Sequence, residues 1–301
     1  MAKTTTKTVY LMKKTKLLAL TGALTLAAAS APGYAVNGHY VGGIEGTKGP
    51  SVPPEGFYYR GYLVHYDLDS IQTDNGNMDV SGSVTAFANR FIWVTDKKFL
   101  GADYGAEAIV IAQHNDFDFA NASETGIGDI FLGPVILSWH GKQWDSVFAA
   151  GHWFETGDYS VTEPASIGKG FGTTMLTLGG TWYFDEQKDW SLSALSRYEI
   201  KTEQDDTGIT PGDSWIVEWA IGKVLDNGVE VALAGYDGWQ LESDSGAGAG
   251  NAKAEQHAIG AEVTFGVPAI GAQLSGALYT EYSNKNRPEG NLFRVHLTKA
   301  F

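Results

Sequence analysis

From residue 57 onward, apolar residues recur with a period of two rather than 3.6, the mark of strands with two unlike faces. Tyr62, Val64, Tyr66 and Leu68 alternate with Gly61, Leu63, His65 and Asp67. Trp190, Leu192, Ala194, Ser196, Tyr198 and Ile200 alternate with Ser191, Ser193, Leu195, Arg197, Glu199 and Lys201. Trp215, Val217, Trp219 and Ile221 share one face, with Glu218 and Gly222 on the other. Val229, Val231 and Leu233 oppose Glu230, Ala232 and Ala234, and His257, Ile259, Ala261, Val263 and Phe265 oppose Gly260 and Glu262. Twelve segments of this kind are predicted, at 57–68, 82–95, 103–113, 128–140, 144–156, 171–184, 189–201, 214–225, 228–242, 254–266, 270–283 and 291–301. A tilted strand needs ~9–11 residues to cross a bilayer, and each segment has that length or a little more.

The connections alternate between short and long. His140–Gln143, Asp185–Lys188, Asp226–Asn227 and Val267–Ala269 are short. The stretches 69–81, 114–127, 157–170, 202–213, 243–253 and 284–290 are long, polar and rich in glycine. Short turns on one side and long loops on the other belong to an outer-membrane barrel. The predicted fold is therefore all-β: a transmembrane antiparallel up-and-down β-barrel of about twelve strands, with short periplasmic turns and long extracellular loops. An even strand number puts both termini on the periplasmic side. A soluble sandwich would also alternate, but it has open edges to protect and no reason for the long–short rhythm. In a membrane barrel the lipid-facing set is apolar and the lumen-facing set small and polar, a rule that sends the apolar face of each strand outward.

The start of the chain reads as an address. Lys13, Lys14 and Lys16 precede an apolar run from Leu17 to Ala29, and Gly33-Tyr34-Ala35 supplies a small-x-small end. These are the parts of a secretory signal peptide, and the run is shorter than the ~20 residues of a spanning helix. The organisation expected is a leader over 1–35 cleaved after Ala35, an irregular segment over 36–56 rich in Gly and Pro, and a barrel over 57–301 in the outer membrane of a Gram-negative cell. At the far end, Phe293, Val295, Leu297 and the terminal Phe301 share a face, with Arg294, His296, Thr298 and Ala300 opposite. A C-terminal aromatic on an alternating strand resembles the signal read by the barrel assembly machinery, so Phe301 is the candidate assembly signal.

Charge and cysteine content narrow the chemistry. There is no cysteine, which removes disulfides, thiolate metal sites and cysteine nucleophiles. The net charge is −14; without the five leader lysines, 16 basic residues face 35 acidic ones, a net of −19. Nucleic-acid binding, which needs basic surface, is excluded as a function.

Several motifs carry a family resemblance over roughly residues 53–301. Phe99-Leu100-Gly101-Ala102-Asp103-Tyr104-Gly105 opens the third segment, and Gly126-Ile127-Gly128-Asp129 the fourth, with Gly133-Pro134 and Trp139 after it. Glu155-Thr156-Gly157-Asp158-Tyr159 closes the fifth, and Pro211-Gly212-Asp213-Ser214-Trp215 opens the eighth. In order and spacing these resemble the outer-membrane proteins grouped as "meta-pathway of phenol degradation" or SphA-like transporters. Glu155 stands where that family more often has proline. The resemblance implies an outer-membrane barrel taking part in uptake of aromatic or other hydrophobic compounds.

No catalytic constellation is legible. His39, His65, His114, His140, His152, His257 and His296 show no Thr-His-x-Ser setting of the kind barrel phospholipases use. Asp116, Asp118 and Glu124 lack a calcium-loop spacing and read as a solvated loop. Gly168-Lys169-Gly170-Phe171-Gly172 lacks the helix a phosphate loop requires. No enzyme activity, metal or cofactor is expected. The candidate functional groups are inward charges: Glu107, Arg197, Glu199, Glu218, Glu230, Glu262 and Arg294, which either set pore selectivity or pair with one another as filler. Twelve strands enclose a narrow lumen, expected to be partly plugged by the N-terminal segment or by inward loops. The function expected is a porin-like channel for passive uptake of small molecules, aromatic or hydrophobic ones by the family resemblance. The alternatives are a nucleoside-type or other polar-solute channel and a non-transporting structural or adhesive barrel. Expected partners are a small-molecule solute, outer-membrane lipid and the barrel assembly machinery.

Overall fold

In a computed structural model the described residues are 38–73 and 76–301. The expected leader and its cleavage site lie outside them. The alternating segments form β1 (Gly56–Thr73), β2 (Gly76–Phe99), β3 (Ala102–Phe117), β4 (Ala122–Ile127), β5 (Ile130–His140), β6 (Trp144–Phe154), β7 (Thr173–Tyr183) and β8 (Trp190–Lys201). They continue as β9 (Ile209–Thr210), β10 (Ser214–Val224), β11 (Glu230–Gln240), β12 (Ser245–Gly246), β13 (Glu255–Val267), β14 (Ala272–Glu281) and β15 (Arg287–Ala300). Strands β9 and β12 pair with each other in the loops, outside the wall. β4 and β5 both pair with β3 and share one place in the wall, interrupted at Gly128-Asp129. Twelve wall positions result. All neighbours are antiparallel, and β1 pairs with β15, with Tyr58 opposite Ala300, so no edge stays open.

The outer face explains where the barrel sits. Trp144, Trp182 and Trp190 stand exposed near the short-turn end, and Phe154, Trp215 and Tyr282 near the loop end. Leu178, Leu233, Ile259 and Leu278 lie exposed between them. From Trp144 to Phe154 is ten residues along one strand. At ~3.3 Å per residue and ~40° of tilt that is about 25 Å, the height of the apolar band of such barrels.

Two long connections are built otherwise than the sequence suggests. The stretch 69–81 is paired strand almost to its tip, with Ile71 opposite Met78 and Gln72 opposite Asn77. Much of 114–127 likewise continues the wall, with His114 opposite Thr125 and Asp116 opposite Ser123. Polar residues stand on both faces of these extensions, with apolar ones such as Ile71 and Met78 only scattered among them, so the ladder persists where regular alternation of hydrophobicity has ended. The stretch 157–170 contains no strand.

The inner face departs from the simple rule on the first strand. Tyr62 and Val64 point inward, 2% and 8% exposed, while Leu63 is 45% exposed outward. They form a buried cluster with Ala220, Tyr236, Tyr279 and Leu292, and Ile44 packs against it. Apolar residues are needed inside because this lumen is filled by residues 38–55, which form no strand. Phe301 and Gly56 lie at the short-turn end, the Phe301 backbone N–H donating to Phe57. The chain ahead of β1 runs back through the lumen, so the first described residues, Gly38 and His39, reach the loop end beside Asp129 and Thr173.

Candidate functional site

The inward charges and the segment 38–55 make one site, built in three tiers. At the loop end, His39 lies between two wall groups, Nε2 at 2.9 Å from Asp129 Oδ2 and Nδ1 at 2.8 Å from Thr173 Oγ1. Its ring stacks on Trp153 at 5.3 Å. Asp129 occupies the gap between β4 and β5, where its carboxylate also accepts the backbone N–H groups of Thr156, Gly157 and Lys169. Burial is the largest influence on His39 and lowers its pKa, against the raising effect of Asp129. One carboxylate thus ties both the segment and the 157–170 loop to the wall.

In the middle tier, Glu199 and Glu218 hold the segment's backbone. Glu199, fully buried, accepts the Tyr40 N–H at 2.9 Å and the Ser214 hydroxyl at 3.0 Å. Glu218 accepts the Tyr40 hydroxyl and the N–H groups of Glu45 and Gly46, the latter two at 3.1 and 3.0 Å. Arg197 lies over the Tyr40 ring, 4.1 Å from its centroid. Two glycines are required here. A Cβ on Gly38 would sit 1.6 Å from a Glu199 carboxylate oxygen, and Gly46 has φ +66° with Glu262 2.1 Å from its would-be Cβ.

The third tier centres on Glu45. Its carboxylate meets Arg90 Nη1 at 2.6 Å, Arg60 Nη1 at 2.9 Å and Arg197 Nη2 at 3.3 Å. Arg90 also pairs with Glu107. The three guanidinium groups offset the cost of burying the Glu45 charge. Beside it, Arg294 is fully buried and donates to the carbonyls of Gly43 and Ile44 at 3.2 and 2.7 Å. It pairs with Glu262 at 3.0 Å, and Glu262 accepts the Thr47 N–H at 2.9 Å. Glu230 pairs with Lys48 at 2.8 Å.

All seven charges singled out from the sequence are therefore inward and converge on one segment. Glu199, Glu218, Glu230, Glu262, Arg197 and Arg294 touch it directly, and Glu107 does so through Arg90. Sequence reasoning missed their counterparts: Glu45, Arg60, Arg90, His39, Tyr40 and Asp129. Glu45 is the one acid between residues 36 and 54, which was the available signal. Phe301 is elsewhere, 73% exposed at the short-turn rim with its ring 6.1 Å from that of Phe57. Asp116 and Asp118 lie at the far end of the β3–β4 hairpin, where Asp118 accepts the Ser81 hydroxyl. Among the described residues no group of three or more His, Asp or Glu side chains is placed to hold a metal ion.

Known proteins divide accordingly. The family described as putative MetA-pathway of phenol degradation matches residues 67–297, and this chain belongs to it. No curated protein matches the sequence. In three dimensions the chain is similar to an outer membrane channel from Pseudomonas putida F1, at 15% identity and a TM-score of 0.75, over 84% of this chain and 97% of that one. That likeness establishes the fold as an outer-membrane barrel. Lower likenesses include the translocator domain of the autotransporter NalP from Neisseria meningitidis, at 13% identity and TM-score 0.46, over 84% and 91% of the two chains. The CymD monoaromatic hydrocarbon channel matches at 9% identity and TM-score 0.41, over 83% and 89%.

Proposed function

We propose that this protein is an outer-membrane channel for passive uptake of small molecules, aromatic and other hydrophobic compounds foremost, exported on a cleaved leader over residues 1–35. One observation carries the reading: the lumen holds a stretch of chain that is not part of the wall ladder. Residues 38–55 are held by hydrogen bonds and ion pairs. Each such bond contributes ~1.5–3 kcal/mol net, and each can re-form with water when the lumen hydrates. A barrel stabilised only as a membrane anchor needs no such exchangeable filling. Glu107, Arg197, Glu199, Glu218, Glu230, Glu262 and Arg294 hold this plug when it is seated and line the route when it moves. The family's description ties it to phenol degradation, and the Pseudomonas putida neighbour is described as a channel, which supports transport over adhesion.

Cells carrying the gene should accumulate labelled phenol or toluene faster than cells without it, and labelled uridine at an unchanged rate. Faster uridine uptake would favour a polar-solute channel. No difference for any solute would favour a structural barrel.

Phe301 is proposed as the assembly signal. It is exposed at the rim, so its removal costs the finished fold little. Deleting it should lower the amount of heat-modifiable protein in the membrane while leaving the urea resistance of what does assemble unchanged. A normal yield under strong expression would refute the role.

A further inference from the structure

The Glu45 carboxylate is held as a carboxylate ligand would be. Three guanidinium groups, from β1, β2 and β8, close on it, and the Tyr62 hydroxyl stands 3.3 Å away. Charge counting around it gives Arg60, Arg90 and Arg197 against Glu45, Glu107 and the neighbouring Glu218, with Arg294 matched by Glu262. The wall's own contribution, three arginines with Glu107 and Glu218, carries an excess of one positive charge, which a single carboxylate neutralises. One donor is also unspent: Arg197 Nε is buried and has no hydrogen-bond partner.

One side of this cluster is apolar. A cavity of about 30 Å³ adjoins the three arginines, walled by Ile92, Ile136, Val147, Ala149 and Leu195. Its remaining side is the plug itself, Gly49 and Ser51 to Pro53, with Val52 packed on the apolar wall. The plug thus places a carboxylate on the arginines and an apolar body on the adjoining wall. Withdrawing it would merge its own volume with the cavity and leave both surfaces open to a molecule of the same design.

Resting on the channel reading, we propose that the wall cluster Arg60–Arg90–Arg197 is a binding site for monocarboxylates with an apolar body, and that Glu45 occupies it as an internal stand-in for that substrate. Substrate and plug then compete for the same guanidinium groups, so arrival of the carboxylate releases the plug. An arginine pair on a carboxylate is directional and bidentate-capable, which gives preference over neutral aromatics of the same shape. The apolar wall gives preference over small inorganic anions.

Equilibrium dialysis of the detergent-purified full-length barrel against labelled benzoate, decanoate and benzyl alcohol tests this. Glu45→Gln removes the competing charge and should bind benzoate about tenfold more tightly than wild type, the effect of losing one charged hydrogen-bonding rival. Glu45→Gln combined with Arg60→Gln should lose that gain. Benzyl alcohol should bind alike in all three. Benzoate tighter than decanoate assigns an aromatic body, and the reverse an alkyl one; either supports the site. The proposal is overturned if Glu45→Gln binds benzoate no better than wild type, or gains equally for benzyl alcohol. Heat-modifiability on gels reports whether each variant is a folded barrel. If the double variant does not fold, Glu45→Asp replaces it, with a gain smaller than that of Glu45→Gln expected and an equal gain overturning the site. Benzoate binding without benzoate permeation in liposomes would remove the channel reading and leave the site standing.

Discussion

Deletion of residues 38–52 should raise single-channel conductance by about tenfold or more, with the barrel still folded. Twelve strands ~4.8 Å apart and tilted ~40° give a backbone radius of about 12 Å. Inward side chains take about 5 Å from each wall, half the spacing of packed sheets, which leaves a bore of about 14 Å. A polypeptide strand with its side chains is about 10 Å thick, so the plug occupies most of that bore. The wall has its own closure, complete from β1 to β15, and does not depend on the segment for its ladder. The deletion leaves Arg60, Arg90 and Arg294 without their plug partners, but in a hydrated lumen water and counter-ions replace them. Planar bilayer recordings decide the matter. A folded, heat-modifiable deletion protein with wild-type conductance would mean that the constriction lies in the loops, and the plug would be a structural filling.

The parts of this architecture that sequence exposes are those where alternation has one cause. On residues 189–201 lipid lies on one side and polar filling on the other, so Leu192 and Tyr198 separate cleanly from Arg197 and Glu199. The same holds on β10, β11, β13 and β15, and it is why six of the seven inward charges, all but Glu107 on β3, could be named from parity on these strands. On β1 the alternation has two apolar causes. Tyr62 and Val64 cover Ile44 of the plug while Leu63 faces lipid, and the stronger hydrophobic set is the inner one. A rule that sends the apolar face outward reverses that strand, and hides Arg60 on its inner face. Glu45 was illegible for another reason. Its role depends on contacts to Arg60, Arg90 and Arg197, from fifteen to more than one hundred and fifty positions away, and a Gly-Pro-rich stretch has no period to locate it. The extended hairpins at 69–81 and 114–127 went unseen because backbone pairing outside the membrane needs no apolar face.

Leu178→Arg should prevent or strongly weaken insertion, and Leu192→Arg should be tolerated better, although both replace an outward leucine. Leu178 lies in mid-strand on β7, 65% exposed, with Phe148 on β6 as its neighbour. An arginine there stands near the bilayer midplane, where the cost in such barrels is ~2–4 kcal/mol. Leu192 is two residues from Trp190 and directly beside Trp182, in the aromatic girdle of the short-turn end. An arginine at that depth extends its guanidinium into the headgroups and costs ~0–1 kcal/mol. Urea titration of folding into lipid vesicles should thus show the equilibrium lowered by about 30- to 1000-fold for Leu178→Arg and by less than about fivefold for Leu192→Arg. Equal penalties would place the two residues at one depth and move the girdle; no penalty at Leu178 would mean that its face does not meet lipid. The second outcome would also reverse Thr177 and Arg197, since Thr177 is opposite Arg197 on β8 and both alternate with the leucine's face. The contacts that hold Glu45 could not then exist, so this measurement on the lipid side is at the same time a test of the lumen.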